Sequence, residues 1–442
     1  MSEIRFDFEW VDPQGARGPE LRATWARLAI WADSKCVSRV FDQDVKSVRD
    51  AVYLPLYPLA EWLATHWWPL LVEVPSPDRL ADPKFAERHS LRAARDGFAL
   101  PAASIAGEGD HIRFTWCREA LPNYHVEFIE EGTVHIPVQS FRQSLTTLIT
   151  AVLGRLQAEG ITGTVLQEEW IALQALSTEE EEFCQVTAAL GLDPFDLDAA
   201  AEARIIEVTE AVPLKLRRDF LFAASAGNLV QEASDVSSAY AFARENDVVL
   251  ASILSLRNEL ASYELPLTVQ PWSRGYLVAQ RLREAIGILN APLQSFDDIA
   301  DALRVSNGNL QAALVEMPNA TGVYDALVAT NRHNSPSFAI STRHNEAAHR
   351  FHFCRGLYEF LRADDVGPWL VTKSLSDTQK QSRAFAAEFL APEKALRERV
   401  SGSAVSVDEV DDISREFGVS TYVINHQLEN HGIAKVLPPR DF

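Results

Sequence analysis

The side chains best equipped for chemistry crowd into one stretch. It is Asn345–Leu361, NEAAHRFHFCRGLYEFL, with His344 immediately before it. His344, His349 and His352 supply imidazoles, the commonest side-chain ligands of metals, and Glu346 and Glu359 supply carboxylates. Hydrolysis by zinc needs neutral imidazoles and a carboxylate as ligands, with one position left open for water. Two His at i and i+4 of a helix put both rings on one face, and a Glu between them takes the water's proton. Asn345–His349, NEAAH, has that spacing with Asn where the first His would stand. His349 and His352, at i and i+3, could share a metal. An atypical zinc site drawing on His344, His349, His352 and Glu359 is therefore an alternative reading. Against it, the cluster lacks a carboxylate or Cys at ligand spacing. Asn345 also suits a helix N-cap, where its amide oxygen accepts a free backbone N–H. The favoured reading is a solvated helix face, with no metal or cofactor expected.

The residues around this cluster form a second pattern. Phe338–Ser341 reads as a strand, Arg350-Phe351 and then Cys354 follow on a helix, and Phe385–Pro392 spells FAAEFLAP. Together these segments resemble the ImmA/IrrE family, bacterial zincin-like metallopeptidases. Trp272–Ala279 and Leu282–Gly287 resemble the helix that opens the family's domain. The resemblance spans residues 266–442 and implies a zincin-like, mostly helical domain with a small sheet. In the family, an Arg-Phe pair and a small residue precede His-Glu-x-x-His, and a second helix brings an acidic ligand. Here the five residues after Cys354 are Arg355-Gly356-Leu357-Tyr358-Glu359. The acidic ligand position falls on Gln379, or on Gln381 if the alignment slips by two.

Those replacements remove the chemistry. Arg355 is a permanent cation that cannot ligate a metal, and Gly356 has no side chain to act as base. Glu359 stands in place of the second imidazole, and Gln379 in place of the carboxylate. Arg355 and Glu359, at i and i+4, can form an ion pair on the helix. Gly356 inside a helix costs about 1 kcal/mol relative to Ala, which points to a close backbone approach or a break. The expectation is a catalytically inactive, peptidase-like protein with a vestigial site at Arg355, Gly356, Glu359 and Gln379. The family resemblance implies a regulatory role through a protein partner, a helix-turn-helix repressor or a toxin–antitoxin component, in a stress, phage or toxin–antitoxin circuit. Two alternatives stand beside it. One is an active zinc metallopeptidase cleaving a protein regulator through the His/Glu cluster. The other is a DNA-linked transcriptional regulator.

Composition narrows the partners. The 442 residues carry 41 basic and 62 acidic side chains, a net charge of −21. Such a surface disfavours nonspecific nucleic-acid binding, which depends on neutralising phosphates, and favours basic protein partners. Cys36, Cys117, Cys184 and Cys354 are scattered with no CxxC pair, as suits free thiols in a reducing compartment. The chain opens MSEIRFDFEW, unlike a signal peptide, and has no apolar run of membrane-spanning length. A cytoplasmic location and no membrane partner are expected.

The elements that must position the cluster fall into three segments of an α+β protein. Residues 1–160 read as a mixed α/β module rich in Trp. It has strands at Ile4–Trp10, Leu28–Trp31, Val37–Phe41, Ile112–Trp116, Val126–Ile129 and Val134–Val138, and a helix from Ser140 to Glu159. Trp62, Trp67 and Trp68 stand at helical spacing and are read as core. Residues 161–265 read as helical, with helices over Leu197–Val212, Leu214–Gly227 and Ala233–Ala261. Residues 266–442 form the peptidase-like part, ending in a helix-turn-helix-like pattern over Ile413–Phe417 and Thr421–Asn430. That last helix has no Lys or Arg, so it is read as closing the domain rather than reading DNA.

Overall fold

The computed structural model describes residues 2–13, 17–263, 270–319, 321–343, 345–362 and 367–437. About 52% of the chain is helix and 18% strand, with the strands in several small sheets. The class is α+β. Two compact units divide it, Met1–Ala199 and Ala200–Phe442. Among the described residues no helix is long and apolar enough to cross a membrane.

In the first unit Ile4–Trp10 runs antiparallel to Trp25–Ala32, with Ile4 opposite Ala32 and Trp10 opposite Ala26. Val52–Pro55 and Lys35–Cys36 complete a four-stranded sheet. A three-stranded sheet joins Ala102–Gly107, His111–Cys117 and Gly132–Pro137. The first of these strands is not visible in the sequence, because AASIAG has no polar–apolar alternation. The expected strand at Val37–Phe41 is shorter and lies at Val40–Asp42. Helix Val138–Ala158 buries Phe141, Leu145, Leu148, Val152 and Leu156 at steps of three and four, the spacing that lays one apolar stripe on a core. The tryptophans are core as read: Trp62, Trp67 and Trp68 lie on helices Tyr57–Thr65 and Trp67–Val72 and are buried. Trp67 meets Trp170 edge to face at 5.4 Å.

This unit also buries a charged centre. Glu73 is fully buried and takes two bonds from Arg88, at 2.9 and 2.7 Å. His89 Nε2 lies 2.9 Å from Glu73 Oε2, and Nδ1 lies 2.7 Å from the Ile105 carbonyl. Burial alone would raise the carboxyl's pKa. The His89 and Arg88 contacts outweigh it and hold Glu73 down at about 2. Gly191, at φ +75°, turns the chain directly over this carboxylate, where an added Cβ would lie 3.0 Å from Glu73 Oε1.

The segment 161–265 is shared between the units. Leu166, Trp170, Cys184 and Ala188 join the first unit's core, whereas Leu250 and Ile253 join the second's. In the second unit we label α1 (Leu214–Ala223), α2 (Leu229–Glu245) and α3 (Ala251–Ala261). The expected continuous helix over Ala233–Ala261 is thus two helices. Asn246 Oδ1 accepts the Val248 N–H at 2.9 Å, and the Leu250 N–H goes to Ser335 Oγ at 2.8 Å. Those bonds draw the backbone out of helical geometry.

Next come α4 (Pro271–Ile286), strands β1 (Leu314–Met317), β2 (Ala326–Thr330) and β3 (Pro336–Ser341), and α5 (Glu346–Arg362). Strand β4 (Trp369–Val371) and helices α6 (Asp377–Leu390), α7 (Val407–Phe417) and α8 (Thr421–Asn430) follow. The sheet order is β1-β3-β2-β4, with β1 parallel to β3 and the other pairs antiparallel. The strand at Phe338–Ser341 is therefore present as β3. Helix α5 packs on the sheet and α6 packs along α4. An added Cβ at Gly275 of α4 would stand 2.1 Å from the Gln381 carbonyl of α6, so a side chain there would push the two helices apart.

The tail forms α7 and α8 around Gly418, at φ +63°. Val410, Ile413, Phe417, Ile424 and Leu428 bury into the same core. Arg350, the first residue of the Arg-Phe pair, reaches across from α5 to donate to the Gly418 carbonyl. Gln427 donates to Glu388 and to the Ala391 carbonyl, both at 2.9 Å.

Candidate functional site

Helix α5 is enclosed on all sides over residues 354–359. Cys354, Arg355, Gly356, Leu357, Tyr358 and Glu359 are all buried. Gly356 sits against the sheet, where an added Cβ would lie 2.6 Å from Val328 Cγ2 and 3.2 Å from Phe338 Cδ1. Of the two outcomes its sequence position allowed, close approach is the one realised, and the helix runs through it unbroken.

Arg355 is only 2% exposed, and four groups from three segments hold it. Its Nη1 donates to Asp325 Oδ2 at 3.0 Å and its Nε to Ser382 Oγ at 3.3 Å. Nη2 donates to the Thr372 carbonyl and to Gln379 Oε1, both at 2.7 Å. Gln379 is itself fully engaged. Its Oε1 also accepts the Thr372 N–H at 2.9 Å, and its Nε2 donates to the Leu370 carbonyl at 2.7 Å. Gln381 points elsewhere, accepting from the Tyr358 hydroxyl at 2.7 Å. Of the two alignments, the first places its residue beside Arg355.

The ion pair along α5 has different partners from those its spacing suggested. Arg355 pairs with Asp325, while Glu359 takes Arg362 at 3.0 and 2.7 Å. Only Oε2 of Glu359 is used; Oε1 is buried with no hydrogen-bond partner among the described residues. Burial pushes the Glu359 carboxyl up against the lowering charge of Arg362. Burial also lowers the Arg355 guanidinium, opposed by Asp325 and Glu359.

Two more groups complete the cluster, both unforeseen in the sequence. Asp219 of α1 sits beside this centre and bonds the Gln379 side chain. Desolvation, then the charge of Glu359, raise its carboxyl to about 7. Arg383 of α6 donates to the Thr372 and Ser374 carbonyls at 3.0 and 2.8 Å. Burial, and then Arg355, bring its guanidinium down to about 9. Asp219 left one signal: it follows Leu216 by three and precedes Phe220 by one on an otherwise apolar helix face. Asp325 left none, since it lies in a turn just before β2.

Among the described residues, His349 and His352 have separate carboxylate neighbours. His349 Nδ1 lies 3.5 Å from Glu316 on β1, and His352 Nδ1 lies 3.8 Å from Asp325. His344 lies outside the described residues. Among the described residues no group of three His, Cys, Asp or Glu side chains is arranged to hold a metal ion. Asn345 does serve the helix start, accepting the Ala348 N–H at 2.9 Å.

The arrangement gathers a buried cation, one buried amide and several carboxylates around a single point. Among the described residues no imidazole pair flanks a carboxylate there. No protein-family model matches this chain, and no curated protein matches it.

Proposed function

We propose that the second unit is a zincin-like, ImmA/IrrE-type domain that has lost hydrolysis and serves as a regulatory protein-binding module. The observation that carries this reading is the guanidinium of Arg355. It lies between α5, α6 and the end of β4, bonded to Gln379, Ser382, Asp325 and the Thr372 carbonyl. In this reading a side-chain cation does the structural work of a metal ion: it gathers ligand-bearing elements around one positive charge. It supplies no open coordination position, so it cannot activate water. The remaining recognition surface would engage a helix-turn-helix repressor or a toxin–antitoxin component.

The test is to incubate the full chain with a purified helix-turn-helix repressor or antitoxin encoded beside its gene. Stable binding without cleavage, unchanged by a chelator, is the expected result. Chelator-sensitive cleavage that disappears in His349→Ala or His352→Ala would instead establish the atypical metallopeptidase reading. Sequence-selective, salt-dependent DNA binding would establish the DNA-linked one.

A further inference from the structure

Strand Ile4–Trp10 is an edge of its four-stranded sheet, and among the described residues no strand pairs with its outer side. The Asp33 N–H donates to the Glu3 carbonyl and the Val11 N–H to the Trp25 carbonyl. Odd-numbered residues therefore hold the inner ladder, because in an antiparallel strand alternate residues bond to opposite neighbours. Ile4, Phe6, Phe8 and Trp10 turn their N–H and C=O groups outward. The Ile4 carbonyl takes Ser144 Oγ at 2.7 Å. Beside Phe6 and Phe8 lies a cavity of about 370 Å³, bounded on its far side by Ser140, Gln143 and Thr147.

The side chains of this strand match themselves when the strand is reversed. Set antiparallel to a second copy about Asp7, IRFDFEW places Arg5 opposite Glu9 twice, Phe6 opposite Phe8 twice and Ile4 opposite Trp10 twice. Only Asp7 meets its like, with an Arg5 from each copy two residues away. Phe6 and Phe8 fall on hydrogen-bonded positions. Arg5, Asp7 and Glu9 all fall on non-bonded positions, where opposed side chains approach most closely, so two Arg5–Glu9 attractions are set against one Asp7–Asp7 repulsion. Slipping by two residues one way sets Glu3 against Glu9, and slipping the other way sets Asp7 against Glu9, so this register is the favoured one. Arg5 and Asp7 are about half exposed, at 55% and 49%, and now pair with each other at 2.8 Å. Charges on an edge strand ordinarily repel other strands. Here the pattern repels strands in general and accepts its own complement.

We propose that the chain associates with a second copy of itself by antiparallel pairing of the Ile4–Trp10 edges about Asp7, joining two four-stranded sheets into one.

Sedimentation equilibrium of the full chain over a concentration series tests this. Wild type should show a monomer–dimer equilibrium. Arg5→Glu opposes Glu to Glu9 at both symmetric positions and should weaken association by about tenfold or more; Glu9→Arg should do the same. The double variant Arg5→Glu/Glu9→Arg should restore wild-type association, an outcome that a merely structural effect would not give. Phe8→Pro removes an outward N–H and leaves the inner ladder intact, so it should abolish the dimer. A wild type that stays monomeric overturns the proposal. So does a dimer indifferent to Phe8→Pro, or a double variant as weak as the single ones. The charge variants sit on exposed positions and keep the test open even if the proline variant misfolds.

Discussion

Each unit buries a charged centre, and the two are built differently. In the first, Glu73 has both oxygens engaged by Arg88 and His89, and its carboxyl is held down at about 2. In the second, one oxygen of Glu359 has no hydrogen bond among the described residues, and Asp219 is raised to about 7 by burial and by its acidic neighbour. A buried charge becomes costly when a partner is removed or one of its atoms is left unbonded. The first centre has the character of a fastening. The second keeps charges at some expense to stability, since Glu359 has an oxygen with no bond among the described residues.

The largest expected effect comes from removing the cation of the second centre. Arg355→Ala leaves Asp325 and Gln379 buried without their partner and should destabilise the second unit by about 3–5 kcal/mol in denaturant unfolding. A loss under about 1 kcal/mol would mean that Arg355 organises nothing. Glu73→Gln keeps the shape of the first centre but removes its charge from beside Arg88. Since Arg88 can turn partly to solvent, a loss of about 2–3 kcal/mol is expected, smaller than for Arg355. The reverse ranking would invert the comparison. Gly356→Ala drives a methyl into Val328 and should cost about 1–3 kcal/mol, despite Ala being the better helix former. A stabilised variant would show that the helix–sheet contact is loose.

The pH responses of the two centres should be opposite in sign. Glu73 is lowered from an ordinary 4.5 to about 2. Its contribution is complete above 4.5 and is lost as pH falls towards 2. Asp219 is raised from 3.8 to about 7, so the folded form binds its proton more tightly than the unfolded form. Stability from this group should therefore fall as pH rises from about 4 to 7. Asp219→Asn should flatten that slope in unfolding-midpoint measurements and stabilise the protein at neutral pH. An unchanged slope would remove Asp219 from the centre. The smallest effect is assigned to Glu359→Gln, within about 1 kcal/mol, because lost attraction to Arg362 and relieved desolvation nearly cancel.

What the sequence disclosed, and what it hid, follows from the reach of each signal. The face of α5, the strand before it and the helix pair around Gly418 are local patterns, and they could be read from consecutive residues. Gly356 could be flagged as a close approach because a helical glycine is costly, although what it approaches could not. The partner of Arg355 could not be read at all. Spacing along one helix offered Glu359, but Asp325 competes from a turn thirty positions away and is placed only by the sheet. Asp219 joins from α1 in the same way. The break at Asn246 leaves no mark in the sequence pattern, because side-chain bonds to nearby backbone leave the apolar period of the flanking helices intact.

The most direct measurement of the central claim is elemental analysis of the untagged, natively purified full chain, with and without added zinc. No stoichiometric zinc is expected, and the same unfolding midpoint before and after chelation, if the Arg355 guanidinium takes the place proposed for it among Asp325, Thr372, Gln379 and Ser382. One equivalent of zinc, lost together with stability on chelation and absent from His349→Ala or His352→Ala, would contradict that claim.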